Sequence, residues 1–286
     1  MMKTKIALMY DFDHTLCTRD MQEYGFIPDL GMSCEQFWAE VTNQTHTKHM
    51  DAILSYLYYM KVKATEKGYP LTKPKLQQLG QDVEFFPGVR DWFERITKFG
   101  KENNVEIEHY IISSGLREII KGCQIAHNFK EIYASQFHYD DNGYADWPAM
   151  AVNFTNKTQF FFRIHKGTLD ISNDKINEAV PEEDIYVPYA NMIYLGDGLT
   201  DVPCMSLAKK YGGNSIAVYD TNSEATKKLL DDDRVNFTAK ADYRQGKDLD
   251  KIIKTIIRSI ALNASLSQMQ KKEQLCLEED VCENAD

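Results

Sequence analysis

The chain has 286 residues with 43 acidic against 33 basic side chains, a formal net charge of −10. That balance disfavours generic attraction to nucleic acid or to anionic membranes, and the length is ample for an α/β core with a smaller lid. Six cysteines without a Cys-x-x-Cys pair argue against structural zinc and a disulfide framework, and neither a basic, apolar leader nor a stretch of about 18 apolar residues is found, so a cytoplasmic protein is expected.

In chain order, Lys5 to Tyr10 is an apolar run that ends in Asp11-Phe12-Asp13-His14-Thr15-Leu16. Alternation in an extended chain turns Asp11 and Asp13 to one side and Phe12 to the other. Alone, Asp-x-Asp would read as a turn or a cap, but a carboxylate pair at a strand tip can also hold Mg2+ or divide nucleophilic and proton-transfer work. Cys17, close by, reads as a small buried hydrophobe. Helical patterns follow at Ser33–Val41, with Ser33 as N-cap, and near Lys48–Lys67, where Ile53, Leu54, Leu57, Tyr58 and Met60 form the expected apolar face. Gly68-Tyr69-Pro70 ends that helix, and Pro87-Gly88 precedes an amphipathic helix over Arg90–Phe99.

His109-Tyr110-Ile111-Ile112-Ser113-Ser114-Gly115 reads as a second strand with donors at its tip, before a helix from Leu116 to Ile120. Asn142-Gly143 signals a hairpin, a strand is expected over Ala149–Phe154, and Lys157 then opens the amphipathic run Phe160–Ile164. Asn173–Pro188 is polar and reads as a connection. Asn191–Leu195 leads into Gly196-Asp197-Gly198-Leu199-Thr200-Asp201, acids four positions apart beside glycines. A further strand is expected over Ser215–Tyr219, and a frayed acidic tail from about Asn263.

These strand ends resemble motifs I, II and IV of the haloacid dehalogenase superfamily. Asp11, Asp13 and Thr15 match Asp-x-Asp-x-Thr; Gly196, Asp197 and Asp201 match Gly-Asp-x-x-x-Asp; Ser113, or Ser114 in the neighbouring register, matches the hydroxyl at the end of the second strand. Lys157, at a helix start, stands where the family places its motif III lysine, with Lys175 and Lys166 as competitors. Within the superfamily the early helical insertion and the Ser-Ser-Gly-Leu stretch look most like phosphoserine-phosphatase-like hydrolases.

The resemblance implies a Rossmannoid α/β fold, a doubly wound parallel sheet core over residues 1–18 and 85–262, with a helical C1 cap over 19–84 inserted after the first strand and a polar tail over 263–286. It implies a Mg2+-dependent phosphatase acting on a small phosphorylated metabolite. Asp11 would be the nucleophile and Asp13 the acid/base; Asp11, the Asp13 carbonyl and Asp197 would hold Mg2+. Ser113, Ser114 and Lys157 would bind phosphate, with backbone N–H groups of Phe12, Asp13 and Ser114; Thr15 and Asp201 would support them. Asp20, beside Arg19, stands where the group places an acid used in substrate selection. Because halide leaves without a proton, Asp13 favours phosphate chemistry over dehalogenation. A phosphotransferase or phosphomutase, a receiver-like regulatory domain phosphorylated on Asp, and a dinucleotide-binding domain are the alternatives; the last lacks Gly-x-Gly-x-x-Gly after the first strand.

Overall fold

The computed structural model describes residues 3–283, with the side chains of 271 and 275–283 outside that description. The strands are β1 (Thr4–Tyr10), β2 (Val105–Leu116), β3 (Glu131–Tyr139), β4 (Ala145–Met150), β5 (Met192–Gly196), β6 (Asn214–Tyr219) and β7 (Phe237–Lys240). Helices α1 (Phe26–Asp29), α2 (Cys34–Lys48), α3 (Ala52–Lys67) and α4 (Lys73–Leu79) lie between β1 and β2. The rest are α5 (Val89–Glu102), α6 (Arg117–Gly122), α7 (Gln159–Lys166), α8 (Val202–Lys210), α9 (Glu224–Asp231) and α10 (Asp248–Glu283).

The sheet order is β4-β3-β2-β1-β5-β6-β7, and every neighbouring pair is parallel except β3 with β4. Alternate residues of β1 enter two apolar clusters. Ile6, Leu8 and Tyr10 pack with Trp92 and Phe93 of α5 and with Ile253 and Ile257 of α10, whereas Ala7 and Met9 pack with Phe160 and Phe161 of α7 and Met205 of α8. Helices on both faces explain why β1 reads as a continuous apolar run. Its order of neighbours reverses at β1, between β2 and β5, and a doubly wound sheet opens its ligand crevice at the carboxyl ends of such strands.

Several sequence readings are corrected. The hairpin forms at Gly143, with φ of 81°, but its second strand is Ala145–Met150 rather than 149–154. Tyr139 pairs with Ala145 directly across the turn, and Asn153 is already committed to the next turn, accepting from the N–H of Thr155 and Asn156. Pro148 is tolerated because β4 is the sheet edge. The helix expected over Ser33–Val41 runs on to Lys48, and the one expected from near Lys48 starts at Ala52: His49 is left-handed and ends α2, and the Asp51 carboxylate accepts from the N–H of Ile53 and Leu54 to start α3. In α3, Tyr56, Leu57, Tyr59 and Met60 are buried while Leu54 and Tyr58 are exposed, so the apolar face is rotated from the expected one. Where a frayed tail was expected, α10 continues through Glu283; Asn263 to Glu283 lacks Gly and Pro and is rich in Leu, Gln, Lys and Glu, which favour helix. Residues 284–286 lie outside the described residues. Among those described, no helix is long and apolar enough to cross a membrane.

A polar network runs through one face of the core. His109 is buried with one ring nitrogen 3.0 Å from the Tyr10 hydroxyl and the other 3.1 Å from Thr97 Oγ1, and Trp92 Nε1 donates to Tyr10 at 3.0 Å. Burial presses the imidazole from 6.5 down to about 4. The unfolded chain therefore takes up a proton that the folded state refuses. Stability from this group is complete above pH 6.5 and is lost as pH falls towards 4, by about 3 kcal/mol. Guanidinium unfolding at pH 7 and pH 5 checks this: His109→Gln is expected to flatten the acid-side loss.

Candidate active site

The acids are delivered by strand ends. Asp11 follows β1 and extends its ladder, donating N–H to Leu195 O at 2.9 Å, and its Oδ1 accepts from Phe12 N at 2.8 Å. Phe12 is buried against Phe85 with ring centroids 6.3 Å apart, which anchors the backbone between the two aspartates. Asp13 Oδ1 accepts from Met21 N at 2.8 Å. Thr15 is fully buried; its carbonyl accepts from the Tyr243 hydroxyl at 2.8 Å, and its own hydroxyl has no partner.

Asp197 and Asp201 follow β5. A carboxylate oxygen from each of Asp11, Asp197 and Asp201 lies within 4.8 Å of the others. Asp201 stands at the N-cap position of α8 without capping it. Its Oδ1 instead accepts from Lys157 Nζ at 2.7 Å and the Tyr194 hydroxyl at 2.6 Å, while its Oδ2 is buried without a partner. Lys157, completely buried in the turn before α7, also lies 3.1 Å from Asp11 Oδ2. Lys166 is spent on the carbonyls of Ile176 and Glu178, and Lys175 is exposed. Of the three lysines weighed from sequence, Lys157 is the one brought to the acids.

The electrostatics follow from burial and crowding. Asp11 is pushed up to about 8 by burial and then by Asp201, against Lys157; Asp197 is pushed up to about 6 by burial and then by Asp201. Burial, then Asp20 and Asp11, hold the Asp13 carboxyl well above the usual carboxylate range. For Lys157 burial favours the neutral amine, but Asp11 and Asp201 outweigh it and keep the ammonium charged. Three carboxylates against one ammonium leave an excess of hard oxygen donors, and Asp201 Oδ2 is an orphaned buried acceptor. That donor set fits Mg2+, with Asp11, Asp197 and Asp201 as side-chain candidates.

Ser113 is buried at the end of β2, its Oγ accepting from Gly115 N at 3.0 Å, which leaves its hydroxyl proton free to donate. Ser114 is half-buried, and its carbonyl accepts from the hydroxyls of Tyr56 and Ser135 at 2.9 and 3.0 Å. Tyr56 comes from α3, so the insertion rests directly on this strand end. Asp51 Oδ2, also from the insertion, accepts from Asn153 Nδ2 at 3.0 Å, and Asn153 O accepts from Lys157 N at 3.1 Å. A cavity of about 450 Å³ opens between Asp13, Ser114 and Gly115 below and α2 and α3 above. A larger groove of about 1010 Å³ lies beside α10 at the amino ends of the strands, away from the acids.

Sequence reasoning missed Tyr194, Gln22 and Met21. Tyr194 carried a faint signal, a hydroxyl inside an otherwise apolar strand. Two glycines are required by close approach. A Cβ on Gly115 would meet Met21 Cε at 2.0 Å, and one on Gly196 would meet Asp201 Oδ2 at 2.4 Å. Gly196→Ala is therefore expected to push the Asp201 carboxylate out of the cluster, lowering kcat/KM on phosphate esters by about 10-fold or more at a cost of about 1–3 kcal/mol. Isothermal titration with Mg2+ should show weaker binding in the same variant.

The strand-tip acids and the buried lysine meet at the carboxyl edge of a doubly wound sheet, where α/β enzymes carry their sites. The chain belongs to the haloacid dehalogenase-like hydrolases, whose sequence model matches residues 8–206. A relative, an uncharacterized protein of Borreliella burgdorferi, is 31% identical over 274 residues, covering 85% of this chain and 93% of its own length. Among solved structures, a substrate-bound phosphoserine phosphatase superposes with TM-score 0.56 at 14% identity, covering 89% of this chain and 99% of that one. A HAD family hydrolase from Salmonella enterica serovar Typhi gives TM-score 0.54 at 17% identity, covering 87% and 70%. The two structural likenesses bear on the fold.

Proposed function

We propose that this chain is a Mg2+-dependent cytoplasmic phosphatase that hydrolyses a small phosphate monoester through an aspartyl phosphate on Asp11. The observation that carries the reading is Lys157 Nζ seated between Asp11 at 3.1 Å and Asp201 at 2.7 Å, with Asp197 in the same cluster. Asp11 attacks phosphorus as the ester P–O bond breaks, and Asp13, whose raised pKa keeps a proton available, protonates the departing alkoxide. Asp13 then takes a proton from the water that attacks the aspartyl phosphate, releasing inorganic phosphate and restoring Asp11. Lys157, Ser113 and backbone N–H groups around Asp13 and Ser114 hold the phosphoryl oxygens. Asp11, Asp197, Asp201 and the Asp13 carbonyl would hold Mg2+, which when bound would supply positive charge that favours ionised Asp11 and offsets charge on the transferring group.

In this reading residues 19–84 act as a cap that excludes water. The chain leaves and re-enters the core at one paired crossing: Thr18 N donates to Glu84 O at 3.1 Å and Phe86 N to Leu16 O at 3.0 Å. The test is phosphate release from a panel of small esters that includes p-nitrophenyl phosphate. Turnover of at least one ester is expected, with a loss of about 10²-fold or more in EDTA that Mg2+ restores. A protein inert towards the whole panel with Mg2+ present would end the proposal.

A further inference from the structure

The cavity beside Asp13 restricts what can leave through it. Its apolar wall is Trp38, Val41, Ile53 and Tyr56, and the Trp38 indole is fixed by donating Nε1 to Glu23 at 2.9 Å. Its polar wall includes Asp20 and Gln22. Gln22 is only 2% exposed, and its Oε1 has no partner. That oxygen is closed off from the cavity, and the acceptor this wall presents is the Asp20 carboxylate.

No Lys or Arg is found among the described residues that line it; the one side chain there able to carry positive charge is the exposed His46. Arg19, adjacent in sequence to Asp20, is stacked on Tyr24 at 4.4 Å and faces Glu84 at 3.9 Å. Lys157 is held by Asp11 and Asp201. The Asp20 carboxylate faces His14 at 3.6 Å, and His14 does not line the cavity. A carboxylate entering here would lose its water beside the Asp20 carboxylate and aromatic rings, with no lysine or arginine to receive it. A hydroxyl or ammonium would meet acceptors and an apolar wall.

Resting on the phosphatase reading, we propose that the substrate's leaving alcohol carries no carboxylate and presents a hydroxyl or ammonium donor to Asp20, with apolar surface against Trp38 and Tyr56. The chain then selects against phosphoserine-like and phosphoglycerate-like esters, although its fold resembles that of phosphoserine phosphatase.

Two matched pairs test this on the full chain with Mg2+: O-phosphoethanolamine against O-phosphoserine, and glycerol 3-phosphate against 3-phosphoglycerate, with p-nitrophenyl phosphate as the activity control. The carboxylate-free member is expected to have kcat/KM higher by about 10-fold or more in at least one pair. The pair that responds tells an ammonium donor from a hydroxyl. Thr45→Arg, which places a guanidinium on the cavity wall, is expected to narrow that preference by about 5-fold or more. A preference below that in both pairs, or one that Thr45→Arg leaves unmoved, with p-nitrophenyl phosphate still hydrolysed, overturns the inference and leaves the phosphatase reading standing. A wild type inert towards p-nitrophenyl phosphate and all four of these esters overturns both.

Discussion

Lys157→Met is expected to lower kcat/KM on phosphate esters by about 10²-fold or more and to remove about 3–5 kcal/mol of stability. The methionine has similar length and no charge, so what changes is electrostatic. In the wild type the ammonium lies 3.1 Å from Asp11 and 2.7 Å from Asp201, and all three groups are buried. Without it two carboxylates share a dry site with no cation between them. The activity loss and the stability loss then have one origin but respond differently to conditions. Asp11 already sits at about 8 in the folded state against an ordinary 3.8, so the folded protein binds a proton that the unfolded chain releases. Its unfavourable contribution is absent below pH 3.8 and grows as pH climbs towards 8. Removing Lys157, which holds the Asp11 pKa down, raises it further and extends that fall to higher pH. Metal-free unfolding at pH 7 and pH 10 should show the variant's deficit widening at the higher pH, and added Mg2+ should recover part of it by binding the folded state. A deficit that is the same at both pH values and indifferent to Mg2+ would assign Lys157 a packing role instead.

How much of this was legible in the sequence depended on whether a residue's role was local. Asp11 and Asp13, and Asp197 and Asp201, stood out because apolar strands buried on both faces end abruptly in acids, a contrast that needs no knowledge of the fold. Sheet order then brings β1 beside β5, and two separate signals become one cluster. Pattern favours Lys157 over Lys175 and Lys166 only by its place at a helix start, and cannot tell whether its ammonium meets buried carboxylates or water; burial beside Asp11 and Asp201 decides that. The α3 face was misjudged for a related reason. Its period permits either Leu54 with Tyr58 or Tyr56 with Tyr59 to face inwards, and the choice is made by partners remote in sequence: the Ser114 carbonyl for Tyr56 and Glu40 for Tyr59. Gln22 gave no signal at all, since a lone glutamine beside a glutamate reads as surface; only burial reveals it.

Asp11→Asn and Asp13→Asn are expected to fail in different ways, and the difference separates nucleophile from acid. Asp11→Asn removes the attacking oxygen, so every ester should lose about 10²-fold or more in kcat/KM and no covalent phosphate should form. Asp13→Asn leaves Asp11 able to attack but takes away the proton that an alkoxide needs on departure. For an alkyl phosphate that first step should slow by about 10²–10⁴-fold. A p-nitrophenolate leaves without protonation, so its first step should be nearly spared. Hydrolysis of the aspartyl phosphate then needs a base to take the proton of the attacking water, and that base was the same Asp13. Steady-state turnover of p-nitrophenyl phosphate should therefore also fall, but behind an initial burst of nitrophenolate approaching one equivalent per active site, with phosphate trapped on Asp11. Rapid mixing followed by acid quench and peptide mass analysis measures both. Alkyl and nitrophenyl esters slowed equally from the first turnover, with no burst, would show that Asp13 acts on metal or backbone geometry and that the proton comes from another group.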